Sequence, residues 1–417
     1  MINTLSQWFQ SRWNKQRDNF FASLSVFAVI GALASIPVNV DFLNPFVQAF
    51  ADFELTDIAF SRLRADAQIA ADTNIVIVNI GKLPRPLIAA QIARLAEHHP
   101  AVIGIDAFFR QPKRDELDTA LVRVLTENTN IVLVSKLSKY NPTRNAFDSL
   151  ETSHPMFTRR AAFAFANVIS DSVSGFNTVR EFSPKETARV HGRDSVQYAF
   201  SVELARRLNP EATKRFLERN QESEVINFRG NYSRFYTLDA DDVLDPTTNL
   251  EFVRGKLVLM GYMGTTLEEP SLEDIFYTPM NPRNVGKTLP DMYGIVVHAN
   301  IVSMILHEAP INTMSKVVAF MLAGIICYLN MVLFHYLLDT YSQLYQVFSV
   351  MVQITESIIL LSALVFILDE LGYKADFTLS ITVIALSAGV FELYAQSFKP
   401  LVLTLLAKIR AGNSKVI

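Results

Sequence analysis

The side chains of this 417-residue chain that could do chemistry fall into two sets. In the first, each residue follows a short apolar run: Gly81 after 74–80, Asp106 after 102–105, and Tyr262 and Thr265 after the run ending at Gly261. If those runs are parallel strands, their carboxyl ends share a crevice, which is where open α/β sheets bind ligands. A carboxylate, a phenol, a hydroxyl and a backbone bend would there suit a small polar ligand. The plainer alternative is that Asp106 caps a turn and the glycines only let the backbone bend. Asp274, together with Thr278, Pro279 and His298, forms a further polar group, expected at the membrane-proximal end of the same domain.

The second set lies inside long apolar runs: Gln353 and Glu356, with Glu392 and His335 nearer the ends of theirs. An ionised carboxylate at mid-bilayer costs about 2.5–3.5 kcal/mol. Glu356 must therefore be neutral, paired or turned to a polar interior, and Gln353, one helical turn earlier, offers a neighbour. With no second acid at matching depth and no cation in these runs, hydrogen-bonded glue between helices fits better than an ion path.

Other chemistry is poorly served. The chain has no Gly-x-Ser-x-Gly elbow, Walker loop or His-Glu-x-x-His. His98 and His99 are adjacent rather than helically spaced, and His298 sits in an apolar run, which suits a hydrogen-bonded packing residue. The single cysteine, Cys327, allows neither a disulfide within the chain nor a cysteine metal site. A net charge of −3 without a basic cluster gives no nucleic-acid footprint. No enzymatic activity, cofactor or metal is expected.

The elements that must hold these residues begin with four apolar runs, 20–38, 317–338, 347–368 and 377–394. Each is near the ~20 residues a helix needs to cross a bilayer. Arg12, Lys15 and Arg17 precede the first run, and Lys399, Lys408, Arg410 and Lys415 follow the last. Basic flanks favour the cytoplasmic face, so both termini read as cytoplasmic and the intervening domain as extracytoplasmic. The Ala32-Leu33-Ala34 triplet resembles a cleavage site, but its polar lead is long for a signal peptide. The expected layout is a lead at 1–18, a span at 19–40, an outer domain at 41–313, three spans within 314–396 and a basic tail at 397–417.

Within the outer domain the spacing predicts strands at 74–81, 101–106 and 130–135 and helices at 85–98 and 117–126. Such alternation implies an α/β fold with a mostly parallel, helix-flanked sheet. A strand pair is expected at 162–169 and 177–182, joined by a polar turn at 171–175. A helix at 195–208, strands at 224–228 and 256–261 and a helical stretch over 288–303 complete the pattern.

Seven segments occur in order: FELTDIAFSRLR (53–64), NIVIVNIG (74–81), PAVIGIDAFF (100–109), INFRG (226–230), FVRGKLVLMG (252–261), DIFYTP (274–279) and YGIVVHANIVSMIL (293–306). Together with three spans behind them, they resemble the type-two CHASE domain, an extracellular sensory class associated with bacterial cyclases and histidine kinases. Where that family tends to carry a D-G-V-V-R-like turn, Asp171, Gly175 and Arg180 are spread over a longer stretch. The resemblance implies an extracytoplasmic sensory module in a bacterial inner membrane. Only about twenty residues follow Ser397, where the family usually continues into an output domain. A separate membrane or cytoplasmic effector is thus the expected partner, besides the lipid bilayer and a homo- or hetero-oligomer. A structural subunit of a secretion, motility or defence complex is the alternative, and ion conduction through Glu356 a third.

Overall fold

The computed structural model describes residues 2–35, 57, 60–61, 69–113, 115–167, 169–170, 178–190, 192–281 and 289–404. Most of the FELTDIAFSRLR motif, the loop with Asp171 and Gly175, and Lys408, Arg410 and Lys415 lie outside the described residues. The chain divides into two units, Met1–Leu43 with Thr313–Ile417, and Asn44–Asn312.

Helix α1, Ile2–Ser35, opens the first unit. The second unit begins with β1 (Asp72–Asn79), α2 (Arg85–Glu97), β2 (Val102–Asp106), α3 (Asp115–Glu127) and β3 (Ile131–Asn141). Ile75, Val76, Ile77 and Val78 are all fully buried, as expected of a strand covered on both faces. Pro86 lies in the first turn of α2, where a missing N–H costs nothing. Then follow β4 (Ala146–Glu151), β5 (Ala162–Phe165), β6 (Ile169–Ser170), β7 (Val179–Phe182), β8 (Lys185–Val190) and β9 (Arg193–Tyr198). The unit continues through α4 (Phe200–Leu208), α5 (Pro210–Glu218), β10 (Glu224–Val225), β11 (Phe235–Leu238), α6 (Ala240–Leu244) and β12 (Leu257–Gly261). It closes with β13 (Ile275–Phe276), β14 (Met292–Tyr293) and α7 (Gly294–Leu306).

Strands β11, β1, β12, β2, β3 and β5 lie side by side in that order and are all parallel. Helices α2 and α3 cover one face through Ile88, Ile92, Leu95, Leu121 and Leu125. Helices α4 and α7 pack on the other face. The second half of β3 leaves this sheet and pairs antiparallel with β4; β8 runs parallel to β4, and β9 antiparallel to β8.

Three expectations need correction. Residues 195–198 belong to β9, and the helix starts only at Phe200. The segment 162–165 pairs with β3, whereas β7 pairs with the short β6 and with β10. Residues 226–228 are not strand, since β10 ends at Val225.

In the first unit, α8 (Lys316–Thr340), α9 (Tyr345–Leu371) and α10 (Thr378–Leu393) follow. The last continues through a π-helical turn, Tyr394–Phe398, to residue 404. With α1 they make four helices long and apolar enough to cross a membrane. Small residues, Ala22, Ala323, Cys327 and Ala388, let α1, α8 and α10 approach closely. Helix α9 is the least covered: 6 % of its most apolar stretch is buried, against 22–39 % in the others.

Candidate functional site

The carboxyl ends of β1, β12 and β2 are in register, with Asn79 beside Gly261 and Gly261 beside Asp106. Asn79 is fully buried and organises the loops above it. Its Oδ1 accepts from the backbone N–H groups of Gly81 (3.1 Å) and Met263 (2.9 Å), and its Nδ2 donates to Asp239 Oδ1 at 2.8 Å. Asp239 caps α6 and also accepts from the Leu267 N–H at 2.8 Å. Gly81 adopts φ +58°, and a side chain there would meet the Thr265 carbonyl at 3.2 Å. Gly81 and Thr265 therefore shape the rim of the crevice through their backbones.

Helix α7 starts against the same row. A Cβ on Gly261 would stand 2.7 Å from Ile295 Cβ, so only glycine lets α7 approach the sheet this closely. Gly261→Ala is expected to destabilise the outer domain by about 1–3 kcal/mol through overpacking. Hydrogen exchange of β12 and α7 measures it, and an unchanged opening free energy would contradict this packing.

Two acids flank that junction. The carboxyl of Asp274 lies over Gly294, 3.1–3.3 Å from where a Cβ would stand, and the Asp274 carbonyl accepts from the Gly294 N–H at 3.0 Å. Desolvation of this carboxyl pushes Asp274 up to about 6, although much of the residue is exposed. Burial pushes Asp106 up to about 7, and the charge of Asp274 adds to the shift. The charge of Asp274, once ionised, opposes ionisation of Asp106. The pair offers one carboxylate and one carboxylic acid near neutrality, beside a helix N-terminus that favours negative charge. Such a site can accept and donate hydrogen bonds to a polar ligand and changes charge when the ligand does.

Tyr262 joins neither acid. Side chains alternate across a strand, so the residue after Gly261 faces the α2 side and packs on that core. Its hydroxyl is buried there without a hydrogen bond. The group around Thr278 also divides. Thr278 donates its hydroxyl (2.6 Å) and its N–H (2.8 Å) to Asp291, whose carboxyl burial pushes up to about 6. His298 instead pairs with Ser201 of α4 at 2.8 Å, and burial pushes it down to about 4, so it is a neutral packing residue. Asp274 sits at the start of α7. Asn79, Asp239 and Asp291 escaped the sequence reading; an asparagine closing an apolar strand was the available signal.

Among the intramembrane residues, Asn330 of α8 donates to Glu356 Oε2 at 2.9 Å. Gln353 does not bond Glu356; it donates to the carbonyls of Ile384 (2.6 Å) and Ala385 (3.1 Å) in α10. This polar layer separates an apolar cluster containing Val352 from another containing Leu360. His335 contacts Asn19 of α1 at 2.7 Å, and Glu392 accepts from Gln396 at 3.0 Å. Lys15 pairs with Asp339 and Lys399 with Asp18, each at 2.6 Å.

No curated protein and no solved structure is significantly similar to the chain. The sequence profile of the CHASE2 domain matches residues 26–337, which takes in the parallel sheet, the crevice at its carboxyl ends, α7 and α8. A match over most of the chain, on this fold, makes it a member of the CHASE2 domain family, whose domain is an extracytoplasmic sensory one.

Proposed function

We propose that the outer domain binds a small polar ligand or a protein partner at the Asp106–Asp274 crevice. It relays that state through α7 to a separate effector protein held by the membrane helices. The module is non-catalytic, sits in the inner membrane and keeps both termini on the cytoplasmic side; Lys15, Arg17 and Lys399 at the span ends support that orientation.

The observation that carries this reading is the course of α7. It begins at the two acids, is buried from Gly294 to Ile305, and ends nine residues before α8 begins at Lys316. At its far end Asp72 accepts from Ser303 (2.7 Å) and contacts His307 (3.0 Å), while Arg229 donates to Ser303 at 2.9 Å. A helix packed along its length and pinned at both ends moves as a rigid body, and a short connection passes that displacement on.

Four glycines inserted after Pro310 test the relay. Lengthening a surface connection costs well under ~1 kcal/mol, so the outer domain is expected to melt as in the parent. The effector that co-purifies with the parent in mild detergent is expected to lose its response to the outer domain. An insertion variant that still regulated that effector like the parent would refute the relay.

A further inference from the structure

The antiparallel extension of the sheet carries a second feature. Tyr140 pairs across strands with Phe147, and Lys185 and Thr187 pair with Tyr198 and Val196. These residues, together with 220–223, line a groove of about 860 Å³. The groove falls within the 300–1,000 Å³ of small-molecule sites. Its apolar groups are not core: Tyr140 is 52 % exposed and Val196 56 %. Tyr140 and Phe147 stand edge to face with ring centres 5.2 Å apart, and the Arg206 guanidinium lies over the Tyr198 ring.

The chemistry of the lining narrows the occupant. Among the described residues Lys185 is the one cation lining the groove, and its ammonium is already held by Asn220 Oδ1 at 2.7 Å. Glu186 and Glu222 oppose it, so an anionic ligand such as a nucleic acid or a polyphosphate finds no complement. Recognition therefore falls to the uncharged side chains of the lining. What those side chains offer is ring faces interleaved with amides and hydroxyls, such as Gln221 and Thr187. Flat apolar faces ringed by neutral hydrogen-bonding groups match a sugar ring, which has an apolar face and a rim of hydroxyls.

We propose that this groove is a binding site for a neutral oligosaccharide, with Tyr140 and Tyr198 as stacking platforms. This site is separate from the Asp106–Asp274 crevice and rests on the sensory reading only for its consequence. Binding is measured directly and does not depend on the relay, whereas the glycine insertion tests the relay alone.

The experiment titrates the purified full chain in detergent with three tetrasaccharide probes by calorimetry and saturation-transfer NMR. They are neutral N-acetylchitotetraose, its cationic fully deacetylated form, and anionic tetragalacturonate. The neutral probe is expected to bind, with saturation transfer to its ring protons. Tyr140→Ala and Tyr198→Ala are each expected to weaken it about tenfold, as loss of one ring contact worth ~1.4 kcal/mol would. Tyr140→Phe and Tyr198→Phe keep the rings and are expected to keep binding, which guards against misfolding of the alanine variants. The proposal is overturned if the neutral probe does not bind, if a charged probe binds more tightly, or if both alanine variants bind like the parent.

Discussion

Arg180→Ala is expected to destabilise the outer domain by about 3–5 kcal/mol, among the largest effects of any single change in it. Arg180 grips Asp57 with two bonds, Nε to Oδ1 at 3.1 Å and Nη2 to Oδ2 at 2.7 Å, and both residues are about 5 % exposed. Removing the guanidinium leaves a buried carboxylate without that countercharge, and its desolvation is the source of the loss. Arg180 also lies on β7, where its carbonyl accepts from the Ile226 N–H at 2.9 Å, so the damage reaches the small β10–β7–β6 sheet. Replacing both partners, Asp57→Leu with Arg180→Met, removes both buried charges and is expected to recover most of the stability. Hydrogen exchange of β7 and β12 in the full chain measures both variants. A single variant that opens as rarely as the parent, or a double variant as weak as the single, would show that burial of this pair is not what matters.

How far the fold was legible follows from how each strand is buried. Strands β1 and β12 are hidden on both faces, so they appear as unbroken apolar runs and were found within two residues. Strands β4, β8 and β9 face solvent on one side and carry Lys185, Glu186, Arg193 and Asp194, so they show no such run. Residues 195–208 misled for a further reason. Val196, Ala199, Val202 and Ala205 recur every three residues, close enough to helical spacing to hide the end of β9. The partner of 162–165 could not be read at all, because it lies in β3 and local turn chemistry does not specify it.

The candidate site was legible in its positions along the chain and illegible in its faces. Asp106 and Gly81 stand at strand ends, which apolar runs mark in any sequence. That Tyr262 turns to the opposite side from Asp106 follows from the phase of β12, which is fixed only once Gly261 is known to lie under Ile295. Asp274 is brought to the start of α7, where its charge acts on Asp106, by the β13–β14 pairing, Ile275 with Tyr293 and Phe276 with Met292, a return over about eighteen residues with no local signal. In the membrane, Glu356 was found because a carboxyl there is costly. Its partner Asn330 was not, because an asparagine in a span costs less and stands out less.

Asp106→Asn is expected to stabilise the outer domain at pH 8 by about 2–4 kcal/mol while leaving it nearly unchanged at pH 4. The sign follows from proton binding. Unfolded, the carboxyl titrates near 3.8; folded, near 7. Between these values the folded protein binds more protons than the unfolded chain, so this group's contribution is complete below about pH 4 and is lost as pH rises through 7. A shift of about three units corresponds to about 4 kcal/mol at most, and relaxation of the half-buried site lowers it. Asparagine keeps the shape of the protonated acid and cannot ionise, so it escapes the loss. His298 acts in the opposite direction: its folded value near 4 lies below the unfolded 6.5, so it costs stability as pH falls through that range. The difference between parent and variant at each pH cancels that term. Asp274→Asn supplies the second arm: without the neighbouring charge, Asp106 ionises more easily, so the loss is complete at a lower pH and is smaller. Thermal midpoints of parent and both variants at pH 4, 6 and 8 measure all of this. A parent–variant difference that stays constant over that range would mean that Asp106 does not titrate in the folded crevice, and with it would go the charge-switching character of the site.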